Sequence, residues 1–121
     1  MIGSTNPLAG RRILVVEDDY LIARYIADVL EQSGVEVIGP AENVETALRL
    51  VSDTPHLDGA MLDLDLRGKA AFPVADLLQA RGVPFVFMTG YDSSMISAHY
   101  KDVRHCGKPV DLKRIVKLLF G

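Results

Sequence analysis

The sequence lacks the features of a secreted, disulfide-bonded or membrane-spanning protein. Cys106 is its only cysteine, which excludes an internal disulfide and fits a reducing cytoplasm. No apolar run approaches the roughly 18 residues that a membrane span needs. The formal net charge of −3 gives no reason to expect binding to nucleic acid or to a membrane through bulk charge. We therefore expect a cytoplasmic protein.

The remaining composition is that of one ordinary folded domain. Its 121 residues can bury a core, and 49% hydrophobic with 24% charged residues is a usual balance. Residues 1–10 contain Gly, Ser, Asn and Pro but no long apolar segment, so we expect a flexible leader rather than a signal peptide. The folded domain is expected over residues 11–121.

Short apolar runs alternate with segments of helical periodicity. The runs predict strands at 13–16, 35–38, 60–62, 84–88 and 103–106. Helices are predicted from Tyr20 to a stop at Gly34, after the cap Asn43 and ending before Pro55, at 72–80 and from Asp111 onward, with about one or two helical turns within 91–102. This alternation predicts an α/β fold: a parallel five-stranded sheet in a three-layer, doubly wound (βα)5 sandwich, with the flavodoxin-like strand order 2-1-3-4-5.

The chain is organised around residues 59–68, Gly-Ala-Met-Leu-Asp-Leu-Asp-Leu-Arg-Gly. The apolar run leads directly into Asp63, and Asp65 and the turn residue Gly68 follow. Asp63 would end a buried strand, and open α/β sheets bind their ligands at the carboxyl ends of strands. Taken alone, Asp63 could equally be a cap or turn residue before the next helix.

Other strand ends carry residue types that complete a site. The first strand ends in Glu17, Asp18 and Asp19, and the predicted strand order places them beside Asp63 and Asp65. Carboxylates that converge in this way favour a bound cation, and oxygen-only ligands favour Mg²⁺. The last two strands end at Thr89 and Lys108, which could hold phosphoryl oxygens. Together these residues predict an aspartate that accepts a phosphoryl group.

Each of these residues also has a simpler interpretation. The acidic residues 17–19 could cap the first helix and complement its dipole. Thr89 could be a turn residue and Lys108 a solvated loop lysine. The histidines are scattered, so we do not expect them to ligate metal; they are His56, His99 and His105. The joint placement on four strand ends favours the phosphoryl site.

In this order, four motifs resemble the receiver domain of two-component response regulators. They are Val-Val-Glu-Asp-Asp at 15–19, Leu-Asp at 62–63, Met-Thr at 88–89 and Lys-Pro at 108–109, and the resemblance covers about residues 11–120. It implies that Asp63 is phosphorylated, that Glu17 and Asp18 are the acid pair with Asp18 the direct Mg²⁺ ligand, and that the backbone carbonyl of Asp65 binds the metal. It also implies that Thr89 and Lys108 bind the phosphoryl group and that the Lys108–Pro109 bond is cis.

Residues 84–91, Pro-Phe-Val-Phe-Met-Thr-Gly-Tyr, resemble the Pro-Phe-x-Phe-Ala-Thr-Gly-Tyr signature of the single-domain FAT GUY receivers, which are associated with bacterial stress signalling. Met88 departs from that signature. His105 stands where receivers usually have an aromatic switch residue, and the segment from Thr89 to Lys108 is shorter than usual. We therefore expect the switch to involve Thr89, Tyr91 and His105.

The resemblance implies a protein that takes a phosphoryl group from a histidine kinase or phosphotransfer protein and catalyses only its own phosphoryl transfer and dephosphorylation. Nothing follows Gly121 and no basic helix is present, so we expect protein–protein output or a phosphate sink rather than DNA binding. One alternative is a phosphate-independent binding module. Another is a phosphatase of the haloacid dehalogenase type, because residues 63–67 resemble the nucleophile motif of that family. In that family, however, the nucleophile strand comes first in the chain. The chain could also be a receiver excised from a larger protein.

Overall fold

A computed structural model of the protein describes residues 8–66, 68–89, 105–107 and 111–120. For Asp65, Thr89 and His105 only the backbone is described. Several predictions fall outside the described residues: those for Tyr91 and Lys108, for the turns within 91–102 and for the Lys108–Pro109 bond.

The described part of the chain contains seven strands and four helices. The strands are β1 Arg12–Val16, β2 Glu36–Ala41, β3 Gly59–Asp63, β4 Asp65–Leu66, β5 Lys69–Ala70, β6 Phe85–Thr89 and β7 His105–Gly107. The helices are α1 Tyr20–Gln32, α2 Val44–Asp53, α3 Phe72–Ala80 and α4 Leu112–Phe120. Within this part of the chain, no helix has the length and apolar character that crossing a bilayer requires.

All the strands except β4 and β5 form one parallel sheet in the order β2-β1-β3-β6-β7. This is the predicted order 2-1-3-4-5, and the prediction is confirmed. Strand register then aligns the strand ends, because Val16 lies opposite Leu62 and Asp63 lies opposite Met88. Residues that directly follow β1 and residues that end β3 therefore meet at one edge of the sheet.

The core lies in two layers, one on each face of the sheet. Alternate residues of β1 point to opposite faces, so Leu14 packs with the α2 and α3 side and Val15 with the α1 and α4 side. All five residues of β3 are buried. A parallel strand covered on both faces is expected to be continuously apolar, and this one is apolar up to Asp63.

The predicted helix ends are largely confirmed. Asn43 caps α2 by accepting a hydrogen bond from the backbone N–H of Thr46 at 2.8 Å. The Asp111 carboxylate accepts one from the N–H of Lys113 at 3.0 Å, at the start of α4. Gly34 follows α1 with φ at +87°, a conformation that glycine adopts without steric cost.

Strand β2 differs from its prediction. It was expected to stop before Gly39 and Pro40, but it continues through both to Ala41. The pairing with β1 shifts register between Leu14 and Val16, and Gly39 has φ at +98° before a cis bond to Pro40. The strand tolerates this irregularity because it lies at the edge of the sheet, where proline does not interrupt a second ladder of hydrogen bonds.

Residues 8–10, at the end of the predicted leader, contact the rest of the described chain. Residues 8–10 form a turn, and Leu8 is only 2% exposed within the α1 and α4 side of the core. The N–H of Gly10 donates to the carbonyl of Gly34 at 2.9 Å, and the Arg11 guanidinium stacks 4.1 Å above the Phe120 ring. The packed domain therefore includes Leu8, while residues 1–7 lie outside the described part.

Candidate functional site

Three carboxylates converge where β1 and β3 end. One carboxylate oxygen from each of Glu17, Asp18 and Asp63 lies within 4.8 Å of those from the other two. Glu17 and Asp18 directly follow β1, and Asp63 is the last residue of β3, the strand beside it. Parallel pairing of these two strands explains why residues far apart in sequence meet here.

Two members of this acid cluster are withdrawn from solvent. Glu17 is 2% exposed and Asp63 is 7% exposed, whereas Asp18 has intermediate exposure. Buried carboxylates placed close together repel one another and lose hydration, so such a group is costly unless a cation compensates it. The donor set is oxygen alone, which suits a hard divalent cation such as Mg²⁺.

The acidic run after β1 serves two different purposes. Asp19 is the N-cap of α1, and its Oδ1 accepts hydrogen bonds from the N–H groups of Leu21 at 2.9 Å and Ile22 at 3.1 Å. Glu17 Oε2 accepts from the N–H of Asp19 at 3.0 Å. The helix-capping interpretation is therefore correct for Asp19, while the two preceding acids face Asp63.

The strands that lead to the other two predicted site residues, Thr89 and Lys108, end on the same side of the sheet as β1 and β3. The N–H of Leu64, next to Asp63, donates to the carbonyl of Met88 at 3.2 Å, and Thr89 follows Met88 as the last residue of β6. Thr89 lies opposite Gly107, the last residue of β7. Lys108 directly follows Gly107 in the sequence, and its own placement lies outside the described residues.

A small hairpin follows Asp63 and was not predicted. Strands β4 and β5 pair antiparallel around a turn that includes Gly68, which has φ at +85°. The N–H of Ala71 donates to the carbonyl of Leu64 at 3.1 Å and closes the base of this hairpin. Asp65, the predicted carbonyl ligand, is therefore held in a paired strand opposite Ala70.

A cleft and an exposed apolar surface adjoin the acid cluster. The cleft is lined by Glu17 and Asp18, by residues of α1 including Tyr20 and Arg24, and by Glu42. On α1, Tyr20 is 77% exposed, Leu21 is 76% exposed and Tyr25 is 55% exposed. Sequence periodicity located the helix but did not single out these residues; their position off the apolar face was the available signal.

His56 lies away from the acid cluster. Its Nε2 contacts the Asp58 carboxylate at 3.2 Å, and that carboxylate also accepts a hydrogen bond from the N–H of Arg12 at 2.8 Å. Arg12 begins β1, whereas Glu17 follows the end of β1, so the His56–Asp58 pair and the acid cluster lie at opposite ends of the strands.

The strand order and the acid cluster are those expected of a receiver domain of two-component signalling. The family model for the response regulator receiver domain matches residues 13–120, and the chain belongs to this family. The solution structure of SdrG from Sphingomonas melonis Fr1 superposes with a TM-score of 0.80 at 35% identity, covering 92% of this chain and 97% of that one. The similarity to SdrG is consistent with the FAT GUY group.

Two further relatives carry informative descriptions. A Burkholderia pseudomallei response regulator, solved with a phosphorylated aspartic acid, a calcium ion and citrate, has a TM-score of 0.78 at 25% identity, covering 90% of this chain and 66% of that one. The phyllosphere-induced regulator PhyR of Methylorubrum extorquens is 31% identical over 87 residues, covering 70% of this chain and 33% of PhyR. The aligned part spans only 21% to 36% of the length of the curated relatives.

Proposed function

We propose that Asp63 accepts a phosphoryl group in a reaction that requires Mg²⁺. The observation that carries this proposal is the acid cluster, in which buried Asp63 ends β3 within 4.8 Å of Glu17 and Asp18 carboxylate oxygens. Asp18 and Asp63 would hold the metal directly, together with the backbone carbonyl of Asp65. Glu17, more deeply buried and bonded to the N–H of Asp19, would orient Asp18 and add negative charge.

The proposed chemistry needs one nucleophile and several groups that neutralise charge. A carboxylate oxygen of Asp63 attacks phosphorus, an O–P bond forms, and the P–N bond to the donor histidine breaks. Bound Mg²⁺ would neutralise charge on the transferred group. The Thr89 hydroxyl and the Lys108 ammonium would bind the remaining phosphoryl oxygens, as the place of Thr89 at the end of β6 and of Lys108 directly after β7 in the sequence supports.

A histidine kinase or a phosphotransfer protein is the proposed donor. The start of α1 supports this, because the exposed Tyr20 lines the cleft with Glu17 and Asp18, and Leu21 and Tyr25 on the same helix are also exposed. An apolar surface next to a reactive carboxylate suits a partner that must bring its phosphohistidine close. The output would be protein–protein contact or withdrawal of phosphate from a relay in the cytoplasm, with no part for nucleic acid or membrane.

The proposed switch lies at the end of β6. Phosphorylation would draw in Thr89, reposition Tyr91 and change the segment that follows. His105 lies opposite Phe87 on β7 and occupies the usual aromatic switch position. Amide hydrogen exchange with and without beryllofluoride tests this switch. Altered protection across residues 90–106 is expected, and unchanged protection there with clear changes elsewhere would contradict it.

Two assays separate the proposed function from its rivals. Acetyl phosphate with Mg²⁺ should transfer one phosphoryl group to each protein molecule, whereas a phosphate-independent binding module would gain none. Repeated turnover of a generic ester such as p-nitrophenyl phosphate would instead indicate a phosphatase. We expect stoichiometric labelling without appreciable ester turnover.

A further inference from the structure

We propose that Lys69 and Glu45 are positioning residues for the metal site, because their ion pair fastens the β4–β5 hairpin to α2 and thereby fixes the backbone carbonyl of Asp65. This inference rests on the proposed function, since it assigns a structural support to one of the proposed metal ligands.

The contact joins two elements that are separate in sequence. Lys69 Nζ lies 3.2 Å from Glu45 Oε1, with Lys69 in β5 and Glu45 in the first turn of α2. The pKa of Glu45 is lowered, first by a hydrogen bond from the backbone and then by the hydrogen bond and charge of Lys69. The ionised pair is therefore favoured at neutral pH.

The described residues anchor the hairpin in two ways. Leu66 in β4 is 3% exposed and packs into the α2 and α3 side of the core, and the Lys69–Glu45 pair holds β5 to α2 at the surface. Lys69 lies directly opposite Leu66, and Ala70 lies opposite Asp65. Because β4 and β5 pair through these residues, a shift of β5 at Lys69 would also move β4, which carries the Asp65 carbonyl. Two-stranded hairpins have little stability of their own, so the contact with α2 matters more than it would in a larger sheet.

The sign of one measurement separates positioning from simple charge. Lys69 is a cation, so removing it would strengthen Mg²⁺ binding or leave it unchanged if Lys69 acted only through its charge. If Lys69 positions the carbonyl ligand, removing it weakens binding. Glu45→Gln is expected to weaken binding under either mechanism, so it is informative only in combination with the lysine variant.

Calorimetric Mg²⁺ titration of the unphosphorylated chain at low salt is the test. Lys69→Met should weaken binding about two- to fivefold, the range that an exposed ion pair can contribute. In the Glu45→Gln background, Lys69→Met should produce no further loss. The matched control is the exposed Arg12–Glu36 pair at the opposite edge of the sheet, with a contact of 3.3 Å; Glu36→Gln should leave Mg²⁺ affinity unchanged.

Unchanged or tighter Mg²⁺ binding in Lys69→Met would overturn this inference. The proposed function would stay intact as long as Mg²⁺ binding to the parent chain depends on Asp18. Equal losses in Glu36→Gln and Lys69→Met would also overturn it, because the effect would then belong to any surface charge. A parent chain without Asp18-dependent Mg²⁺ binding would overturn the proposed function and this inference together.

Discussion

Glu17 directly follows β1 and Asp63 ends β3, and each contributes a carboxylate oxygen to a cluster in which these oxygens lie within 4.8 Å of one another. Both side chains are at least nine-tenths buried. A fold selected for stability alone gains little from two neighbouring buried carboxylates, since each loses hydration and repels the other. Their proximity is instead expected where a site must bind a cation and transfer charge.

Asp18 should matter more than Glu17 for metal affinity. Asp18 is the more exposed of the two and is the proposed direct ligand, whereas Glu17 Oε2 already accepts a hydrogen bond from the N–H of Asp19. Mg²⁺ titration of Asp18→Asn should show a loss of about tenfold or more, and Glu17→Gln a smaller loss. Equal losses, or a larger one in Glu17→Gln, would contradict the assignment of the ligand.

Leu8 should contribute to stability although it precedes the first strand. Its side chain is 2% exposed in the core, so Leu8→Ala should lower the free energy of unfolding by about 2–5 kcal/mol. Leu21→Ala is the matched control, because Leu21 is 76% exposed and its truncation should change stability by less than about 0.5 kcal/mol. Urea unfolding measures both, and similar values for the two variants would show that Leu8 does not pack in solution.

The Glu45–Lys69 contact should depend on pH in a defined direction. Because the pKa of Glu45 is lowered in the folded chain, the contact is present at neutral pH and is lost as the pH falls through that pKa. Lys69→Met should raise the pKa of Glu45 only part of the way to its ordinary value, since the backbone hydrogen bond at the start of α2 remains. Carbon-detected NMR titration of the Glu45 carboxyl measures this, and an unchanged pKa would mean that the contact is not populated.

Much of the fold could be predicted because the sheet is parallel and buried. Most of its strands contain a short apolar run, and the helices between them show clear periodicity, so the order of elements followed from sequence. Asp63 was located correctly at the end of β3 because the apolar run stops there abruptly. The limits of β2 were missed because Gly39 and Pro40 usually end a strand. In an edge strand such as β2, proline can be accommodated because only one side of the strand is paired.

The missed features depend on tertiary contacts rather than on local pattern. Leu8 is one apolar residue in a polar segment, and its burial requires the finished surface between the helices that cover β1. The β4–β5 hairpin has two residues in each strand, which is too short for periodicity to reveal. Asp19 could not be separated from Glu17 and Asp18 by residue type, because all three are acids that suit either a cap or a metal site.

Intact-mass and peptide mass spectrometry after treatment with acetyl phosphate and Mg²⁺ tests the central claim most directly. The parent chain should gain one phosphoryl mass, located at Asp63. Asp65→Asn, which keeps the backbone carbonyl, should still gain it, whereas Asp63→Asn should gain none. A phosphoryl group on Asp63→Asn, or labelling of the parent at another residue, would contradict the assignment of Asp63 as the acceptor.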